Sequence, residues 1–190
     1  MIEIFKIDIP REKISKVEEK VKNYPWNLIP NLPDWKHGTN LPYLKEICDY
    51  WIKDFNWSLY EKKINKFQNF KTHVDGINIH FIKEEGSGSN PKNLLLIHGW
   101  PGSVIEFIEI INQLAHPENY GGNKEDGVTV IAPSLPGFGF SGSSNEPYGP
   151  RKIAEILNKM MTINLKCKNY VAQGGDWGAT IANWLGYDHD

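Results

Sequence analysis

Apolar residues recur with two different periods along this chain, and the change of period divides it. Up to about residue 68 the spacing is helical. Ile14, Val17 and Val21 form one short stripe. Leu44, Ile47, Cys48, Trp51, Ile52 and Phe55 follow the i, i+3, i+4, i+7, i+8, i+11 series of a stronger amphipathic helix opening near Pro42. Trp57, Tyr60, Ile64 and Phe67 predict a third helix, with Ser58-Leu-Tyr-Glu61 as its capping box. Between the first two, the prolines of Tyr24-Pro-Trp-Asn-Leu-Ile-Pro-Asn-Leu-Pro-Asp-Trp35 forbid a helix.

The period then drops to two. Phe70, Thr72 and Val74 alternate with Lys71 and His73, Asp75-Gly76 turns the chain, and Ile77, Ile79 and Phe81 alternate again, a hairpin at about 70–84. Beyond the flexible loop Gly86-Ser-Gly-Ser-Asn-Pro91 the strands become continuous apolar runs: Asn93-Leu-Leu-Leu-Ile97, Val128-Thr-Val-Ile-Ala132 and Tyr170-Val-Ala172. Each leads through a Gly- or Pro-containing turn to a helix: one burying Val104, Ile105, Phe107, Ile108 and Ile111, one around 153–163, and one from Trp177 to about Leu185. Uninterrupted apolar strands alternating with helices predict a parallel sheet covered on both faces, an α/β fold. The expected division is a mainly helical extension with its hairpin over 1–90, and an α/β core over 91–190.

Composition narrows the classes without choosing a function. A hydrophobic fraction of 40% with seven Trp, eight Tyr and eight Phe supports a packed core, and a net charge of −2 suggests no nucleic-acid surface. Cys48 and Cys167 are far apart with no histidines grouped around them, the pattern of two buried thiols in a reducing compartment, not of a disulfide or a zinc site. No basic n-region precedes an apolar stretch at the start, and no apolar run reaches the length of a membrane span. A soluble cytoplasmic protein is expected, with no transmembrane segment, no metal and no cofactor.

Candidate chemistry sits at the turns. Gln173-Gly-Gly-Asp-Trp-Gly178 joins a strand to a helix with the spacing Gly174-x-Asp176-x-Gly178, the layout of a nucleophile elbow with Asp where lipases carry Ser. So tight a turn needs small flanking residues, and the helix N-terminus favours an ionised carboxylate. The same residue also reads as a simple helix cap. His98-Gly-Trp-Pro-Gly102, ending the first parallel strand, shifts the balance, because that is where an α/β-hydrolase places half of its oxyanion hole. The backbone N–H groups of Trp100 and Trp177 would then converge on one oxygen. Gly137-Phe-Gly-Phe-Ser-Gly142 fits the dinucleotide fingerprint, but residues 143–150 intervene before any helix, so nucleotide binding is rejected.

Leu95-Leu-Ile-His-Gly-Trp-Pro-Gly-Ser103, Ala132-Pro-Ser-Leu-Pro-Gly-Phe-Gly-Phe-Ser-Gly142 and Gln173-Gly-Gly-Asp-Trp-Gly178 resemble the microsomal-type epoxide hydrolases. The helical preface, including Trp35-Lys-His-Gly-Thr39 and Tyr50-Trp-Ile-Lys-Asp-Phe-Asn-Trp57, is similar to that family's N-terminal domain, so the resemblance runs end to end. It implies hydrolysis of an epoxide to a vicinal diol, a detoxification chemistry. Asp176 would be the nucleophile that forms an alkyl ester, and the Trp100 and Trp177 amides the oxyanion hole. A small apolar epoxide and water are the implied partners.

The family's order places lid tyrosines, acid and base histidine after the elbow helix, and this sequence stops at Asp190. The family's microsomal members begin with a membrane anchor that this chain lacks. The chain is therefore expected to be an incomplete, inactive front half. His189-Asp190 is read as a disordered end, not as the missing pair. Two other readings stay open: a dehalogenase-like hydrolase using the same Asp, and a non-catalytic interaction remnant.

Overall fold

A computed structural model describes residues 1–31 and 34–189. Leu32 and Pro33 of the proline-rich segment, and Asp190 of the expected disordered end, lie outside the described residues. Residues 8–62 form one unit, and residues 1–7 with 63–190 form the other.

The second of these is built on a six-stranded sheet. β1 (Ile2–Ile4) pairs antiparallel with β2 (Gln68–Val74), β2 with β3 (Ile77–Glu84), and β3 with β5 (Thr129–Pro133); β5, β4 (Asn93–Ile97) and β6 (Tyr170–Gly174) run parallel, giving the order β1-β2-β3-β5-β4-β6. Val74 pairs with Ile77 across a two-residue turn in which Asp75 and Gly76 both have positive φ, 47° and 84°. That is the type I′ geometry whose twist suits a hairpin. β4, β5 and β6 are the parallel strands expected from their apolar runs.

Two sequence expectations need correction. The first 68 residues are not all helical, because Ile2–Ile4 adds a strand to β2. The hairpin does not close the helical extension: Phe81 to Glu84 of β3 pair with Val130 to Pro133 of β5, so it continues the sheet of the core. The compact units divide at residue 62. Alternation along a hairpin reports which residues face a core but not which sheet they join.

Burial shows why the runs are continuous. Ile79, Phe81, Leu95, Ile97 and Ile131 pack with α5 (Pro150–Lys159) and α6 (Trp177–Asp188) through Ile153, Ile156, Leu157, Ile181 and Leu185. Ile82, Leu96, Val130 and Ala132, at intervening positions, are equally buried. Successive strand residues face opposite sides, so both faces are covered around β4 and β5, whereas β6, at the sheet edge, leaves Val171 58% exposed. The expected helix after β4 is broken into a 3-10 turn (Val104–Phe107) and a five-residue α4 (Ile111–Ala115), leaving Ile105 exposed. α5 runs on into a π-helical turn, Met160–Asn164, whose two methionines are fully buried.

The unit of residues 8–62 holds α1 (Arg11–Lys22), α2 (Leu41–Lys53) and most of α3 (Trp57–Ile64). Asn40 caps α2 by accepting from the Tyr43 N–H at 3.0 Å. The predicted capping box of α3 is replaced: Asn56 accepts from the Ser58 N–H, while Glu61 accepts from the Ile9 N–H and the Trp57 indole. One of these donors, the Ile9 N–H, lies outside the helix, and the local pattern does not contain it. Cys48 and Cys167 are free and half-buried, less enclosed than expected. Among the described residues no helix is long and apolar enough to cross a membrane.

Candidate active site

The turn between β6 and α6 is as tight as its glycines suggest. Only Gly175 and Asp176 separate the two elements. A Cβ on Gly174 would lie 2.3 Å from the Gly178 carbonyl carbon, and one on Gly178 would lie 2.0 Å from the Ile97 oxygen. Side chains are therefore excluded on both sides. Asp176 itself has φ 52° and ψ −122°, a strained conformation of the kind held at functional sites by surrounding structure.

This strain aims the carboxylate away from its own helix. Asp176 stands at the N-cap position of α6 but makes no side-chain capping bond. Instead its Oδ1 accepts from the Trp100 N–H at 2.8 Å, across the sheet from the end of β4. The Trp100 amide first, and the Trp177 amide second, hold its carboxyl below the ordinary aspartate range. Gly99 makes the approach feasible, since a Cβ there would fall 2.6 Å from both Cβ and Oδ1 of Asp176. Asp176, Trp100 and Trp177 are brought together, and all three are exposed. A cis peptide joins Trp100 to Pro101.

Two histidines that the motif reading left without a role support these loops. His98 is fully buried, accepts from the Leu135 N–H at Nε2 (3.0 Å), and has Nδ1 3.0 Å from the Gly99 oxygen. Burial pushes its pKa down, partly offset by the Gly99 carbonyl and the charge of Glu106. His80, also fully buried, is bonded to Ser134 Oγ through Nδ1 and to Asn69 Oδ1 through Nε2, both at 2.9 Å. Burial lowers its pKa to about 3, with a smaller push from Lys71. Ser141 Oγ accepts from the His80 N–H and donates to the Ser134 oxygen, tying down the loop after β5. Ser134 and Ser141 lie in the motif run Ala132 to Gly142, which carried no such role in sequence, and Asn69 belongs to no motif.

The amides of the glycine-rich loop donate to carbonyls of the loop itself and of β3. Gly137 donates to Gly142, Phe138 to Leu135, Ser141 to Phe138 and Gly142 to Asn78. α5 begins only at Pro150. Of the other histidines, His73 bonds Asn78, His116 bonds Glu84, and His37 is exposed in the unit of residues 8–62. His189 ends α6. Among the described residues no histidine bonds to the Asp176 carboxylate. A hollow of about 630 Å³ between residues 90–93 and 166–171 lies at the opposite ends of β4 and β6 from the carboxylate.

Comparison with known proteins identifies the family and the fold. The family described as epoxide hydrolase N terminus matches residues 2–107, and the alpha/beta hydrolase fold matches residues 92–190. Epoxide hydrolase 1 of Sus scrofa is 38% identical over 184 residues, covering 93% of this chain and 40% of that protein. The structure of Aspergillus niger epoxide hydrolase superposes with a TM-score of 0.85 at 25% identity, over 100% of this chain and 50% of that one. Juvenile hormone epoxide hydrolase from Bombyx mori gives a TM-score of 0.83 at 32% identity, over 99% and 45%. The chain thus spans about two fifths of the length of the curated relatives it matches. An α/β-hydrolase half-sheet behind a helical preface, matched by the N-terminal family over more than half its length, places this chain among the epoxide hydrolases.

Proposed function

We propose that this chain supplies the nucleophile and oxyanion site of an enzyme that hydrolyses a small apolar epoxide to a vicinal diol. The observation that carries the reading is the 2.8 Å bond from the Trp100 N–H to Oδ1 of an aspartate held at a strained elbow. With Oδ1 engaged, Oδ2 is the free nucleophile. Its lone pair attacks a ring carbon, the C–O bond of the epoxide breaks, and the leaving oxygen takes a proton from an acid. The product is an alkyl ester whose carbonyl oxygen is Oδ1. Water, deprotonated by a base, then adds to that carbonyl. The charge gathers on Oδ1, where the Trp100 and Trp177 amides stabilise it until the diol departs.

The residues present serve the first step and the oxyanion of the second. With the described histidines buried, bonded elsewhere, at the end of α6 or, for His37, exposed in the unit of residues 8–62, we infer that the 190-residue chain alkylates once and does not turn over. Incubation with styrene oxide followed by peptide mass spectrometry should locate one adduct on Asp176, absent from Asp176→Asn, with no steady diol release. An adduct that persists in Asp176→Asn, or sustained diol production by this chain, would overturn the reading.

A further inference from the structure

We propose that His98 is a positioning residue that grips the Gly99–Trp100 peptide by its oxygen and thereby aims and polarises the Trp100 N–H at Asp176. The inference rests on the reading of Asp176 and Trp100 given above. The Leu135 N–H, 3.0 Å from His98 Nε2, can only donate, so Nε2 must accept. In a neutral imidazole the proton then sits on Nδ1, which faces the Gly99 oxygen at 3.0 Å. That oxygen and the Trp100 N–H are the two ends of one peptide plane, and in a trans peptide they point in opposite directions. Holding the oxygen therefore fixes where the N–H points, and it points to Asp176 Oδ1 at 2.8 Å.

The result is an unbroken relay: Leu135 N–H to His98, His98 Nδ1–H to the Gly99 carbonyl, Trp100 N–H to the carboxylate. Hydrogen bonds in such a chain strengthen one another. The ring is fully buried and meets Phe138 edge-on at 5.5 Å, so it cannot swing away. Its burial also keeps it uncharged, which the relay needs, because an imidazolium would turn Nε2 into a donor facing the Leu135 N–H.

The relay acts on the two chemical steps differently. Alkylation draws charge away from Oδ1, whereas ester hydrolysis concentrates it there, so only the second step gains from a stronger donor.

Two variants separate the halves of the relay. In His98→Asn the side-chain amide stands where Nδ1 was and can still donate to Gly99. In His98→Gln it reaches the Nε2 position, keeping the Leu135 contact and losing the Gly99 donor. In the unmodified chain, nitrogen NMR of the imidazole should show the Nδ1–H tautomer at neutral pH. The Asp176 carboxyl, followed by carbon-labelled aspartate NMR, should titrate at higher pH in His98→Gln than in His98→Asn. The alkyl ester formed with styrene oxide should survive hydroxide about tenfold longer in the Gln variant, with alkylation not slowed. An Nε2–H tautomer or an imidazolium would overturn the proposal even if a variant failed to fold. So would identical Asp176 titrations in the two variants. Failure of the parent reading is distinguishable: it appears as a missing Asp176 adduct in the unmodified chain, whereas the tautomer and titration report on the relay alone.

Discussion

Replacing Gly178 by alanine tests the packing on which the elbow depends. The added Cβ would stand 2.0 Å from the Ile97 oxygen, 2.8 Å from its carbonyl carbon and 3.0 Å from the His98 oxygen. All three are backbone atoms of the β4 end, so no side chain can rotate out of the way. Reaching ordinary contact, at 3.4 Å or more, requires α6 to retreat from β4 by over an ångström. Overpacking of this kind costs about 1–3 kcal/mol, and the rigid partners put this site at the upper end. Alanine returns about 1 kcal/mol of helix propensity, leaving a net loss of about 2 kcal/mol. For a chain of this size that is a fall in melting temperature of about 4–8 °C.

Gly186 in the same helix provides the opposite sign. A Cβ there meets nothing within 4 Å, so Gly186→Ala should gain the propensity alone, about 0.5–1 kcal/mol. Thermal unfolding by circular dichroism compares the pair directly, and styrene oxide alkylation should be impaired only in Gly178→Ala, whose helix carries Asp176 out of place. A Gly178→Ala protein that melts at or above the parent temperature would refute the close approach of α6 to β4.

Other measurements reach the same site from different sides. Gly99→Ala pushes a methyl group to 2.6 Å from the Asp176 carboxylate; alkylation should fall about 100-fold, the scale of an ångström misplacement, while circular dichroism stays unchanged. His80 binds its proton near pH 3 when folded but near 6.5 when unfolded, so its contribution is complete above pH 6.5 and is lost on acidification. Between pH 7 and 5 this should lower stability by about 2 kcal/mol, read from urea midpoints, and His80→Gln should flatten that slope. Because its two amide donors hold the Asp176 carboxyl low, alkylation should persist below the ordinary aspartate range as pH falls; loss of reaction by pH 5 would contradict the donor geometry. At the sheet edge, Val171 of β6 is 58% exposed and, among the described residues, no strand pairs beyond it. Val171→Lys should reduce self-association of the 190-residue chain, measured by light scattering.

Much of this molecule was legible from local pattern. The Asp75-Gly76 turn, the apolar runs of β4 and β5 and the glycine-flanked Asp176 each follow a simple cause: positive φ, burial on both faces, absence of room for Cβ; β6 carries the same apolar pattern although its Val171 is exposed. The extent of the sheet was not legible in the same way. The pairing of β3 with β5 joins residues about 50 apart, and nothing in the alternation of Ile77, Ile79 and Phe81 distinguishes that partner from another. For the same reason Ile2–Ile4 was missed, since three residues carry too little pattern without Phe70 and Thr72 beside them. The capping box of α3 failed because Glu61 answered the Ile9 N–H, a donor fifty-two positions away.

What the chain order alone determined was the presence of an Asp on a strand-to-helix turn and of a His-Gly-Trp-Pro turn on an earlier strand. Whether that Asp caps its own helix or faces the other turn was left open by sequence. The tertiary structure decided it. β4 and β6 are parallel neighbours, so their C-terminal ends meet, and the strained backbone at Asp176 turns its carboxylate across the gap to Trp100. Strand adjacency and backbone strain are set by the packing of the whole sheet, which no short window of residues contains.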